Sequence, residues 1–201
     1  MPETTPIRTT HLADAADALG CDMSAGGFGL RWAGGPEASV SGRAFTLAQR
    51  PIRSRADCDK PLRHPEVALS LAQPGDIIVM SVEGDTQGAT WGEAHSLRAF
   101  NRGVAGVLLD GLTRDAGTLH HHRMPVLYRG TSPLRSAGRL YTASVNADAR
   151  IGGTLVRNGD FVMLDGDGFV AIAAAEAEAV LARAREIADK EAARNSQLLA
   201  G

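Results

Sequence analysis

At 201 residues, 44% hydrophobic and 22% charged, the chain is long enough for one domain with its own core. A net charge of −2 gives no electrostatic ground for binding nucleic acid, and no stretch approaches the roughly 18 apolar residues of a membrane span. Lys60, in the polar stretch Asp57-Cys58-Asp59-Lys60, and Lys190, in a charged segment, are the only lysines, and neither suits a Schiff-base enzyme, which needs a buried amine.

Residues 7–19 read as a helix, with Thr9 or Thr10 available to cap it and Gly20 to end it. Residues 21–36 are rich in glycine and read as loop, and Ala38 to Ala48 as a strand interrupted at Gly42. The polar stretch 49–62 reads as a surface loop, and its Arg50-Pro51-Ile52-Arg53-Ser54-Arg55 segment either meets a polycarboxylate or is simply solvated. Pro65 to Leu71 predicts a short helix, Pro74-Gly75-Asp76 a turn, and Ile77 to Met80 a buried strand. A loop over 83–91, a helix over 92–102 closed by Gly103, and a strand over 104–109 follow. A second short helix is predicted over 115–122 and a strand over Met124 to Tyr128. Strands alternating with helices predict parallel βαβ units. From Ala143 to Ile151 alternate apolar residues predict one half-buried strand. Asn158-Gly159-Asp160 and Asp165-Gly166-Asp167-Gly168 predict turns around the strands Phe161–Leu164 and Phe169–Ile172. An Ala-rich helix closes the chain over about 175–199, with Val180, Leu181, Ala184, Ile187 and Ala188 on one face.

Cys21 and Cys58 form no CxxC pair and nothing resembles a secretory signal, so reduced thiols in a cytoplasmic protein are expected. The chemistry-bearing stretch is Trp91-Gly92-Glu93-Ala94-His95, taken with Arg114-Asp115. In a βαβ unit a helix start and the residues just past the next strand share one sheet edge, where open α/β sheets bind ligands. Neighbouring Arg114 and Asp115 are expected to point apart, one towards an anionic substrate and one towards a hard cation. The amides of Glu93, Ala94 and His95 at the helix start attract an anion, and Gly92 leaves room for it. Spacing alone also allows Glu93 to be a favourable helix-start acid, Arg114-Asp115 to cap the next helix, and His95 to be structural. His120-His121-His122 cannot all face one metal, since helical neighbours point about 100° apart. Asp165-x-Asp167-Gly168 resembles the opening of a calcium loop, but the strand pattern of Phe169 to Ile172 makes it a hairpin. Ser132 and Ser136 lack a nucleophile elbow, and the glycines of Ala25 to Gly29 make no nucleotide loop.

Over about residues 8–175 the chain resembles the RraA-like family, named for a regulator of ribonuclease activity and including class II pyruvate aldolases. The resemblance is carried by Pro74-Gly75-Asp76, Gly92-Glu93, Gly103-x-x-Gly106-Val107, Asp110-Gly111-x-x-Arg114-Asp115, Pro125-Val126, Gly130-Thr131-Ser132-Pro133, Gly159-Asp160 and Asp165-x-Asp167-Gly168. The family's signature is an acid, twenty intervening residues, then Arg-Asp, an interval that Glu93 and Arg114-Asp115 keep. The resemblance implies an α-β-β-α layered, swivelling-domain-like α/β fold with βαβ units. On that basis residues 1–175 are one domain and 176–201 a C-terminal helix packing on the domain or a neighbouring subunit. It implies a homotrimer or hexamer with sites at subunit interfaces. The implied activity is a divalent-metal (Mg2+ or Mn2+) lyase acting on 2-oxo acids. Its reactions are aldol cleavage of substrates of the 4-hydroxy-4-methyl-2-oxoglutarate type, or oxaloacetate decarboxylation, through a pyruvate enolate. By position, Asp115 becomes the metal ligand, Arg114 the clamp on the pyruvyl group and Glu93 an outer-shell acid. Gly92 and the amides of Glu93, Ala94 and His95 receive the substrate carboxylate. Two departures are visible. Glu93 replaces the commoner Asp, and the acidic tail that aldolases lend to a neighbouring subunit is absent, leaving Glu186 or Glu191 as stand-ins. The competing function is that of the family's non-catalytic protein-binding regulators of ribonucleases.

Overall fold

A computed structural model describes residues 5–35, 38–58, 64–84, 87–121 and 124–200. In chain order the helices are α1 (Thr9–Leu19), α2 (Arg55–Cys58), α3 (His64–Leu71), α4 (Glu93–Asn101), α5 (Ala116–Leu119) and α6 (Ala177–Ala200). The strands are β1 (Met23–Gly26), β2 (Arg31–Ala33), β3 (Val40–Pro51), β4 (Ile77–Val82), β5 (Ala89–Trp91) and β6 (Gly106–Thr113). They continue with β7 (Val126–Thr131), β8 (Leu140–Val145), β9 (Ala149–Ile151), β10 (Thr154–Val156), β11 (Phe161–Asp165) and β12 (Gly168–Ile172).

The long strand β3 organises the molecule by belonging to two sheets. Its first residues pair antiparallel with β11, and residues from Ala44 onward pair parallel with β4. β4, β6 and β7 then follow in parallel register. Because strand side chains alternate, each strand feeds two cores. Ile78, Met80, Val107, Leu109, Val126 and Tyr128 pack towards the face holding Ala68 and Leu69 of α3 and Ala99 of α4. Ile77, Val79, Leu108 and Leu127 pack on the other face against Val162, Leu164, Phe169 and Ala171. The far sides of β11 and β12, through Met163, Val170 and Ile172, meet Leu12 of α1 and Val180 and Ala184 of α6. The layers are therefore helices, sheet, sheet, helices, as the family resemblance implies. Each fully buried Leu or Val in these cores contributes roughly 1.5–3 kcal/mol.

Gly42 marks the place where β3 leaves one sheet for the other. A Cβ there would lie 2.0 Å from the carbonyl oxygen of Gly75, so the Pro74-Gly75-Asp76 turn can sit directly on the strand. Arg43 reinforces the contact by donating to Asp76 through Nε and an Nη.

Several expectations are corrected. Neither Thr9 nor Thr10 caps α1; Arg8 is the N-cap residue. Thr9 is instead captured by Asp165, whose oxygens accept its amide at 2.8 Å and its hydroxyl at 2.7 Å. The same carboxylate accepts the Asp167 amide, so Asp165 is spent on the β11–β12 hairpin and the start of α1. The segment 21–36 holds β1 and β2, edge strands too short to show a period. The stretch 83–91 ends in β5, and β3 runs on to Pro51 before α2. The single strand expected over 143–151 is two, β8 and β9, broken by Asn146 in the left-handed region at φ 56°. The second short helix ends at Leu119. The closing helix buries Val180, Ala184 and Ala188 and makes extensive contact with α1. Among the described residues no helix is long and apolar enough to cross a membrane.

Candidate active site at the carboxyl ends of the parallel strands

β5 brings the two halves of the motif together. It pairs parallel with the end of β6, Trp91 opposite Thr113, and the Arg114 amide donates to the Trp91 carbonyl at 3.1 Å. Residues just past both strands, Gly92-Glu93 and Arg114-Asp115, are thereby placed side by side. Gly92 is the N-cap residue of α4 at an extended φ of 172°. A Cβ on Gly92 would lie 3.0 Å from both Arg114 Cγ and Asp115 Oδ2. Glycine at this point leaves a cradle between the start of α4 and the Asp115 carboxylate. Buried Trp91 fixes the start of α4 by donating from Nε1 to Ser96 Oγ at 2.9 Å, and its ring lies 5.4 Å from that of His95. Glu93 and His95 are half-buried and Ala94 is exposed.

Asp115 carries the most informative geometry. Its backbone is left-handed, φ 60° and ψ 31°, which costs a non-glycine residue about 1–3 kcal/mol. It is the N-cap residue of α5, yet its carboxylate makes no capping hydrogen bond. An Asp in the usual extended N-cap conformation accepts a first-turn amide and gains about 1 kcal/mol by doing so. Here that role is declined and the carboxylate turns towards Gly92 and Arg114. Asp115 therefore starts α5 through its backbone carbonyl, and its side chain takes no part in the cap. The expectation that Arg114 and Asp115 point apart is also corrected: Arg114 Nε lies 3.6 Å from Asp115 Oδ2. Side-chain alternation holds along a strand, and β6 ends at Thr113, before either residue.

Arg114 and Asp115 form one wall of an open cleft of about 370 Å³, and Thr131, Ser132 and Pro133 form the other. In the sequence Thr131 and Ser132 stand out only through the Gly130-Thr131-Ser132-Pro133 motif of the resemblance, which gives them no role in the site. The register of parallel strands carries the missing signal, because Thr113 lies opposite Thr131 and both strands end at the same edge. Ser132 is a loop staple: its hydroxyl accepts the Leu134 amide and donates to the Gln87 carbonyl.

Among the described residues no three His, Cys, Asp or Glu side chains converge, so this chain would offer a metal here at most two such side chains, with water filling the rest of the shell. A hard cation such as Mg2+ tolerates that arrangement. The half-exposed Asp115 carboxylate beside the Gly92 cradle fits it. His120 and His121 are exposed beyond α5, and His122 lies outside the described residues, as does Lys60. Lys190 is exposed on α6. Of the two helix acids singled out in the sequence, Glu191 binds His11 Nε2 at 2.8 Å and Glu186 pairs with Arg183 at 2.7 Å, both within the chain. The arginine-rich segment lines a separate cleft of about 360 Å³ at the ends of β3 and β4, where Arg50 pairs with Glu83 at 2.7 Å. That partner raises the Arg50 pKa further above its ordinary value.

The RraA-like (Aldolase/RraA) family model matches residues 9–171. A protein of Halalkalibacterium halodurans, named provisionally as a 4-hydroxy-4-methyl-2-oxoglutarate aldolase, is 32% identical over 126 residues, 62% of this chain and 60% of that protein. An Arabidopsis thaliana protein with the same provisional name is 29% identical over 48% of this chain and 57% of its own length. The chain thus spans about 60% of the length of these curated relatives. An uncharacterized protein of Pseudomonas syringae has a similar solved structure, with TM-score 0.80 and 26% identity, covering 97% of this chain and 89% of that one. Streptomyces coelicolor RraAS2, described as an unusual member of the RNase ES inhibitor RraA family, shares the fold. Its TM-score is 0.78 at 24% identity, over 95% and 92% of the two chains. A family match across the domain, the layered fold and the Glu93…Arg114-Asp115 interval agree, and the chain belongs to the RraA-like family.

Proposed function

We propose that the protein is a divalent-metal-dependent lyase that releases pyruvate from 2-oxo acids. The candidate reactions are aldol cleavage of substrates of the 4-hydroxy-4-methyl-2-oxoglutarate type and oxaloacetate decarboxylation. The observation that carries the reading is Asp115, held in a costly backbone conformation with its carboxylate withheld from helix capping and turned towards Gly92 and Arg114. The provisional aldolase names of the relatives support the same reaction class.

In this reading Asp115 holds Mg2+ or Mn2+ and Arg114 grips the carboxylate of the pyruvyl group. The planar guanidinium matches a carboxylate bidentately and sets the orientation of the 2-oxo acid. The backbone at Gly92, Glu93, Ala94 and His95, at the positive end of α4, receives the same anion, and Glu93 serves as the outer acid. A divalent metal held there would supply electrostatic stabilisation of the negative charge that develops on the 2-oxo oxygen, worth several kcal/mol. Scarcity of lysine is consistent with that choice over a Schiff base. Decarboxylation requires no base, whereas aldol cleavage needs one to take the hydroxyl proton; a water oriented by Glu93 fills that role in this account. The assembly is proposed to be a trimer or hexamer.

The test is pyruvate release from oxaloacetate and from 4-hydroxy-4-methyl-2-oxoglutarate, with Mg2+ and with chelator. Metal-dependent turnover of either supports the reading, and silence with both at every metal concentration sinks it for these substrates. Silence together with stoichiometric capture of a ribonuclease would transfer the assignment to the family's regulators.

A further inference from the structure

We infer that Thr118 is a positioning residue, whose hydroxyl holds Asp115 in its left-handed conformation and thereby sets the affinity for a divalent cation. The inference rests on the metal-ligand role proposed for Asp115.

An Asp before a short helix has two competing states. In the extended state its carboxylate accepts an amide of the first helical turn. In the left-handed state the carboxylate is released, at a cost that persists only where the surroundings over-determine it. The surroundings here are specific. Thr118 Oγ1 donates to the Asp115 carbonyl at 2.8 Å, and the Thr118 amide donates to the same oxygen at 2.9 Å. The Leu119 amide adds a third bond at 3.2 Å, and Leu119 anchors α5 in the core. On the other side, Thr113 Oγ1 donates to the Arg114 carbonyl at 3.2 Å and the Arg114 amide is held by Trp91. The peptide groups flanking Asp115 are thus fixed from both directions. Of these bonds, the one from the Thr118 hydroxyl can be removed with least disturbance, because Thr118 is exposed and Thr113 is fully buried. Without it the balance moves towards the capping state, in which the Thr118 amide takes the carboxylate. Apparent affinity falls by the fraction of molecules left competent.

The experiment is Mn2+ binding to the full chain, read by electron paramagnetic resonance, for wild type, Thr118→Val, Thr118→Ser and Asp115→Asn, alongside melting temperatures. Thr118→Val is expected to weaken Mn2+ binding measurably, by at most about fivefold, the full equivalent of one ordinary hydrogen bond, at nearly unchanged Tm. Thr118→Ser is expected to retain wild-type affinity, and Asp115→Asn to lose binding. If Thr118→Val binds as wild type while Asp115→Asn does not, the role of Thr118 is overturned and the metal reading stands. A lowered Tm with unchanged affinity overturns it in the same way. If wild type and Asp115→Asn bind alike, the metal reading falls and the inference falls with it.

Discussion

Asp115→Gly separates a residue kept for chemistry from one kept for folding. The left-handed backbone at φ 60° costs a side-chain-bearing residue about 1–3 kcal/mol, and glycine removes that cost. Glycine loses about 0.5–1 kcal/mol through the greater freedom of its unfolded chain. The ion pair to Arg114 is 3.6 Å long between side chains 46% and 43% exposed, and such pairs are worth about 0–1 kcal/mol. No capping bond is lost, because none exists. The balance is a stabilisation of about 1 kcal/mol, or a Tm higher by roughly 2–4 °C for a chain of this size. Thermal unfolding followed by circular dichroism reads the shift, and pyruvate release should be abolished in the same variant. A Tm lowered by a similar amount would refute the reasoning, since the carboxylate would then be holding the start of α5.

Gly92→Ala places a Cβ 3.0 Å from Asp115 Oδ2 and Arg114 Cγ with no backbone strain. It should fold within about 1 kcal/mol of wild type in urea titration, yet lose most activity as the two side chains are pushed aside. Arg114→Ala should lower kcat/KM on the order of 100-fold by removing a charged hydrogen-bond partner of the substrate. Gly42→Ala should destabilise by about 3 kcal/mol in urea, because its Cβ would meet the Gly75 carbonyl at 2.0 Å and neither backbone can retreat easily. Asp160 is buried, and desolvation raises its pKa above the ordinary 3.8, against the opposing effect of the Arg157 amide. The folded state therefore binds more protons than the unfolded one, and the Asp160 contribution to stability falls as pH rises from 3.8 through its raised pKa. Asp160→Asn should flatten that part of the stability profile, measured by urea unfolding from pH 3.5 to 7.

The parallel half of the fold was legible because its strands are buried on both faces and read as short apolar runs. Ile77 to Met80 and Val107 to Leu109 are examples. Edge strands β1, β2 and β5 were not, being three or four residues long, below the length at which a period shows. The Arg114-Asp115 pair could be placed at a sheet edge from spacing, but its geometry could not. Side-chain direction there depends on a left-handed backbone at a residue other than glycine. Thr9 illustrates the same limit: its partner Asp165 lies far along the chain, and a local capping rule has no access to it. The place of Thr131 in the cleft was not legible either, because it follows from strand register, which emerges only once β6 and β7 are paired.

The proposed role of Asp115 is to support metal-dependent cleavage of a 2-oxo acid. It is tested most directly by pyruvate release from oxaloacetate by wild type and Asp115→Asn, titrated with Mg2+. Asparagine tolerates the left-handed conformation, so the two proteins should share a melting temperature. Wild type should show saturable Mg2+-dependent release, and the variant a loss on the order of 100-fold at any Mg2+ concentration. Equal release by the two proteins, or release that persists unchanged in chelator, would contradict it.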